Sequence, residues 1–278
     1  MNAAPGSETD DDALFLRELA LSFGAAAQVY DQARPGYPAA LFTHVAGQMP
    51  GPRALEVGAG TGKASSGLVR AGLEVTCVEP DAAMAAVLAK RFAPSAPVRV
   101  EVTRFEDFAD PLTYDGLISA QAWHWADPVT RMDRAARLVR SGGFLGLIWN
   151  AGLLREPEAF AAIQGIYDDF GLFGPHRPAE PLGTAADLAA IQDPQTWPGD
   201  EIAAHPGFDY LGTSLFTWER EYLAAGFGAF LDSTSWFRVL DPGVHDRLLA
   251  AIITVIDNRF GGRITIDWSA QCYNARRL

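Results

Sequence analysis

Two rhythms of apolar residues alternate along this chain. Ala54–Val57, Glu74–Val78, Val98–Val102, Tyr114–Ser119 and Phe144–Trp149 are short runs dominated by apolar residues, as expected of parallel strands covered on both faces. Between them, Lys63–Ala71, Ala82–Phe92 and Val129–Val139 place apolar side chains three and four residues apart, the spacing of a helix with one buried stripe. This alternation predicts βαβ units and a parallel sheet with helices on both faces. Upstream, Ala39–Gln48 reads as a further helix. Ala13–Tyr30 has helical intervals that Pro35 and Pro38 terminate. After Ala151 the regularity fades. Glu158–Phe170 suits a helix, but 171–212 is rich in Pro and Gly, so 151–210 is expected to be an insertion forming a lid over the active-site edge. Thr213–Trp218 then alternates like a strand, Glu219–Leu231 and Gly243–Asn258 suit helices, and Ile264–Asn274 suits a final strand. Residues 1–20 are expected to form a flexible acidic tail and 21–278 one domain.

The first strand runs into Gly58-Ala59-Gly60-Thr61-Gly62, and the second ends in Glu79. A right-handed crossover places both at the carboxyl edge of the sheet, where open α/β folds bind ligands. Glycines permit a tight turn and close approach to bare backbone, and the following helix offers N–H groups to an anion. Glu79 can accept two hydroxyl hydrogens from a ribose. These features describe a nucleoside-containing ligand with an anionic end. Its class depends on spacing: a dinucleotide fingerprint needs glycine where Lys63 stands, and a P-loop needs Gly and Ser or Thr where the chain has Val57 and Ala64.

What remains, Glu56-Val57-Gly58-Ala59-Gly60-Thr61-Gly62 with Val78-Glu79-Pro80-Asp81 and Met84, resembles the class I S-adenosylmethionine-dependent methyltransferases. Tyr114–Ser119, Ala122-Trp123-His124-Trp125 and Leu138–Trp149 fit the same family in order and spacing. The resemblance implies a Rossmann-like, seven-stranded, mostly parallel sheet closed by a hairpin of strands six and seven, with S-adenosyl-L-methionine as cofactor. It points to the small-molecule branch that includes trans-aconitate methyltransferase. It also implies cofactor contacts from Glu56, Gly58, Ala59, Gly60, Glu79, Pro80, Met84 and Ala120. The segment 23–38 is expected to close over the cofactor with Tyr30 and Tyr37, Arg34 lying near the methionyl carboxylate. Where the family holds adenine with an acid after the third strand, this chain has Arg104. Glu106 matches a second acid, and the backbone and ring of Phe105 are the substitute expected at adenine.

Composition narrows the partners. The formal net charge is −12, with no run rich in Lys or Arg, which argues against nucleic acid, whose binding rests on phosphate neutralisation. No apolar run approaches the roughly 20 residues that span a bilayer, and the acidic N-terminus lacks the pattern of a signal peptide. A cytoplasmic protein with a small-molecule acceptor is expected. Cys77 and Cys272 and the five histidines show no metal-ligand spacing.

Methyl transfer from a sulfonium needs alignment in a dry pocket more than it needs a catalytic dyad. His124 is the candidate base for an acceptor hydroxyl or amine, with packing between Trp123 and Trp125 as its plainer role. Trp123, Trp125 and Trp149 are expected to line an apolar cavity. Two other functions fit the same fold: a non-catalytic S-adenosylmethionine-binding sensor or partner module, and, disfavoured by Lys63, a nicotinamide-linked oxidoreductase.

Overall fold

A computed structural model describes residues 33–172 and 195–278. The apolar runs become β1 (Arg53–Val57), β2 (Glu74–Val78), β3 (Val98–Glu101), β4 (Tyr114–Ala120) and β5 (Val139–Leu154), joined by β6 (Phe208–Leu223) and β7 (Arg263–Arg277). They form one seven-stranded sheet in the order β3-β2-β1-β4-β5-β7-β6. Only β7 runs antiparallel to its neighbours, so the fold is the expected α/β sheet, Rossmann-like and mostly parallel. Strand addition reverses direction between β1 and β4, which makes their carboxyl ends the switch point.

The helices are α1 (Ala39–Gln48), α2 (Lys63–Arg70), α3 (Ala82–Arg91), α4 (Arg131–Leu138), α5 (Pro157–Asp169), α6 (Gly199–Ala204), α7 (Ala224–Asp232), α8 (Ser235–Arg238) and α9 (Pro242–Arg259), with a 3-10 turn at Trp123–Trp125. Asp81 caps α3 by accepting from the N–H groups of Ala83 and Met84, which fixes the chain just after Glu79. Asp127 does not start a helix directly. Its side chain holds a turn through Val129 N–H and Thr130 Oγ1, and α4 begins at Arg131.

Side chains alternate between the two sheet faces. Leu55, Leu117, Leu145 and Leu147 meet Met132, Ala135 and Ile202 from α4 and α6 on one face. Ala54, Val75, Ile118 and Ile148 meet Leu41, Leu68 and Leu88 from α1, α2 and α3 on the other.

The second half departs from the pattern read above. β5 continues six residues past Ile148, the last of its residues paired with β4, and pairs there with β7 alone of its two neighbours. Glu219–Leu223 is strand, not helix, and α7 starts at Ala224. Pairing along β7 overrides the local preference, as tertiary context commonly does in sheets. β5, β7 and β6 therefore project roughly 20 Å beyond the carboxyl edge. One face of this projection carries a third core, in which Leu154, Tyr222, Ile266 and Trp268 meet Ile163 of α5, Phe227 of α7 and Ile252 of α9. The described part of 151–210 is divided between two cores: α5 belongs to this third cluster, and α6 belongs to the first face through Ile202. The tail 1–20 and Tyr30 lie outside the described residues.

Candidate functional site

Gly58, Gly60 and Gly62 all adopt left-handed backbone, with φ of +69°, +57° and +84°. The N–H groups of Gly58 and Ala59 donate to the Val78 carbonyl at 2.9 and 3.2 Å, pinning the loop to the end of β2. A Cβ on Gly58 would stand 2.2 Å from the Cβ of Ala122. The loop is thus pressed against the residues that follow β4.

Glu79 is 6% exposed. Its Oε2 accepts from Gly60 N–H at 2.7 Å and its Oε1 from Asp81 N–H at 2.9 Å. Burial pushes its pKa up, and those two N–H donors work against the rise. Each oxygen keeps a second lone pair, so the carboxylate can still accept two O–H groups. Met84 packs with Trp125 beside the loop, its sulfur 3.9 Å from the place a Gly60 Cβ would take. Pro80 is exposed next to Glu79, and half-buried Ala120 ends β4.

Glu56 is placed differently from its expected role. It is 1% exposed, bonds the side chain and backbone of Ser65 in the first turn of α2, and burial pushes its pKa up to about 7. The Cys77 thiol donates to its Oε2 at 3.8 Å. Since α2 is entered through Gly62, which has no side chain to cap it, Glu56 supplies from beneath a carboxyl group that hydrogen-bonds the first turn of the helix. The group engaged by the first turn of this helix is the protein's own carboxyl.

At the end of β4 the chain turns sharply. Gln121 has φ of +60°, the one positive value at a non-glycine among the described residues. It is held by its N–H to the Ile148 carbonyl at 2.8 Å and by its side-chain amide to the Asn150 carbonyl at 3.5 Å. Such backbone costs roughly 1–2 kcal/mol and is found where the surroundings enforce it, often at functional sites. No pattern in the sequence marks it. The turn sends Trp123 into the first core, beneath the Arg131 guanidinium. Arg131 is paired with Glu201 at 2.7 and 2.9 Å. His124 stays exposed, its ring 4.5 Å from that of Trp125. The protein mass around it, then the charges of Arg131 and Arg34, push its pKa well below the usual imidazole range. It is neutral at pH 7.

Arg34 donates to the Ser233 carbonyl at 3.0 Å and lies over the Phe230 ring. It ties the segment before α1 to α7 while its charge reaches His124. Tyr37 packs edge-on against Phe42 at 6.0 Å. Two further residues expected at the cofactor have protein partners. The Phe105 ring is buried against Trp123 and beneath Arg134, whose Nε donates to the Phe105 carbonyl; the ring and carbonyl are committed to the core. Glu106 accepts from Asp127 N–H at 2.7 Å and from Arg104 at 3.2 Å, a role in shaping the loop. Of the three tryptophans expected to line a cavity, Trp125 is at the loop, while Trp149 packs against Trp197 and Tyr273 in the first core with Trp123. Among the described residues there is no group of three His, Cys, Asp or Glu able to hold a metal ion.

Residues 55–147 match the family model described as a methyltransferase domain. Two proteins described as uncharacterized methyltransferases, from Mycobacterium bovis and Mycobacterium tuberculosis, are each 40% identical to the chain over 136 residues, 48% of this chain and 54% of theirs. The chain thus spans about half the length of the curated relatives it matches. The structure of a proposed type II methyltransferase from Anaeromyxobacter dehalogenans superposes with a TM-score of 0.61 at 23% identity, covering 87% of this chain and 97% of that one. That likeness establishes a shared fold. The matched segment contains the glycine loop, Glu79 and the end of β4.

Proposed function

We propose that this protein transfers a methyl group from S-adenosylmethionine to a small-molecule acceptor. The observation that carries the reading is the Glu79 carboxylate, buried at the switch point and fixed by Gly60 N–H, inside the segment that matches the methyltransferase model. The cofactor supplies a methyl group on a sulfonium, already activated for displacement. The residues present fit it: Glu79 retains acceptor capacity for two ribose hydroxyls, Gly58, Ala59 and Gly60 leave bare backbone at the edge, and Met84 with Trp125 forms an apolar wall. Pro80 and Ala120 border the same edge. Arg34, near the methionyl carboxylate, and Tyr30, in a covering position, keep the roles implied by the sequence resemblance.

Turnover by alignment asks little of the chain beyond orientation and exclusion of water. His124, being neutral, keeps one ring nitrogen as a hydrogen-bond acceptor and can orient an acceptor N–H or O–H; its lowered pKa makes it a weak proton acceptor. The charge of −12 favours a small acceptor over nucleic acid, and no described helix is long and apolar enough to cross a membrane. A cytoplasmic location and kinship with the trans-aconitate methyltransferase branch belong to this same reading and rest on the sequence. Calorimetric titration with S-adenosylhomocysteine, with NAD⁺ as control, tests it. Micromolar binding of the first alone is expected; binding of NAD⁺ alone, or of neither by folded protein, overturns it.

A further inference from the structure

Where β5 outruns β4, one side of its backbone loses its neighbour. Pairing with β4 ends at Ile148, whereas Asn150, two residues on, still pairs with Ala270 of β7. Alternation along β5 puts Asn150 on the same sheet face as Ile148, the face that α1 covers with Leu41. Residues 33–38 lead into α1 and pass this point. The Asn150 Nδ2 donates to the Gly36 carbonyl at 3.1 Å, and the Asn150 carbonyl accepts from the side-chain amide of Gln121 at 3.5 Å. One residue thus holds the segment before α1 with its side chain and the bend after β4 with its backbone.

Both contacts bear on the site. Gln121 keeps its φ of +60° while its N–H donates to the Ile148 carbonyl of the same strand, and His124 stands three residues further on. On the other side, Gly36 is two residues from Arg34, which donates to the Ser233 carbonyl just after α7 and whose charge acts on His124. The segment is therefore fastened to α7 through Arg34 and to β5 through Gly36. Packing does not explain an asparagine here. Its Oδ1 is closed off and has no partner among the described residues, which costs stability that an apolar side chain would keep. What the amide offers is its donor, and the donor serves Gly36.

We infer that Asn150 is a positioning residue: its amide fastens residues 33–38 to the strand that holds the Gln121 bend, and so fixes the segment expected over the cofactor against the loop that carries His124. The inference rests on the methyl-transfer reading for the cofactor; the link itself stands on the hydrogen bonds. Asn150→Ala and Asn150→Leu both remove the donor and differ in volume. Two measurements on the full chain test the role: NMR titration of the His124 imidazole, assigned with His124→Ala, and calorimetric titration with S-adenosylhomocysteine. In both variants His124 should titrate closer to the ordinary imidazole range than in the parent, because Arg34 loses a neighbouring point of attachment. S-adenosylhomocysteine should bind roughly two- to tenfold more weakly, the worth of one hydrogen bond. The melting temperature should barely move, since the contact with Gly36 is exposed. An unchanged His124 titration in both variants overturns the proposal, and so does an effect confined to one of them, which would assign it to packing. A loss of several degrees in Tm in both would show a structural role and overturn it too. S-adenosylhomocysteine separates the two readings: a parent that does not bind it rejects methyl transfer while His124 still decides the link, and variants that bind it as tightly as a binding parent reject the positioning role.

Discussion

Two buried carboxyl groups, 23 residues apart in sequence, one on β1 and one just after β2, do different things. Glu79 holds the glycine loop and faces the edge; Glu56 sits under α2. Removing the first by Glu79→Ala strips a partner from both Gly60 and Asp81 N–H, and S-adenosylhomocysteine affinity should drop by roughly 1.5–3 kcal/mol, the range for a charged hydrogen bond. Calorimetry of variant and parent decides this, and equal affinities would remove Glu79 from the site. Glu56 is tested through pH. Its pKa in the fold, about 7, exceeds the ordinary 4.5, so the fold favours its protonated form. The stabilisation is therefore complete below pH 4.5 and is lost as pH rises toward 7, by roughly 3 kcal/mol over that interval. Glu56→Gln, which cannot ionise, should flatten this part of the stability curve; parallel curves for variant and parent between pH 4.5 and 7 would count against the assignment.

The elements around the edge depend on backbone freedom at single positions. Gly58 joins β1 to the loop at φ +69° with Ala122 where a side chain would go. Gly58→Ala combines a left-handed alanine with overpacking, and the expected loss of stability is roughly 2–5 kcal/mol, read as a lower midpoint in urea. A variant as stable as the parent would mean that the loop can slide away from β4. Gln121 solves the corresponding problem at the end of β4 without glycine. The element pays for its bend through the Ile148 and Asn150 carbonyls, both supplied by the next strand.

Across the whole molecule, the switch point is braced by contacts between parts of the chain far apart in sequence. Buried Arg131 at the start of α4 pairs with half-buried Glu201 of α6, and its guanidinium lies over the rings of Trp123 and Trp197. Arg131→Met takes the cation from half-buried Glu201, which keeps the Trp197 Nε1–H donor, and should cost roughly 1.5–3 kcal/mol, the range for a charged hydrogen bond. Adding Glu201→Leu should recover most of the loss, because an apolar pair replaces a broken ion pair. Thermal melts of the single and double variants check this, and failure of the second change to restore stability would show that the pair is not the source.

Local patterning alone marks the five parallel strands, the helices between them and the place of the glycine loop with Glu79. Those features rest on local periodicity and on residues whose backbone freedom or charge can be read one at a time. It placed α1 at Ala39–Gln48 with the bounds the structure has. Tertiary structure decided the rest. Whether Glu56 faces a ligand or a helix depends on which side of β1 it leaves, and Phe105 and Glu106 were claimed by Arg134 and Asp127 from other segments. Glu219–Leu223 became strand because β7 offered it a partner. The bend at Gln121 exists only once β4 and β5 lie side by side. Period and composition record what one segment prefers; which neighbour satisfies its hydrogen bonds and covers its apolar face is settled by packing between segments distant in sequence.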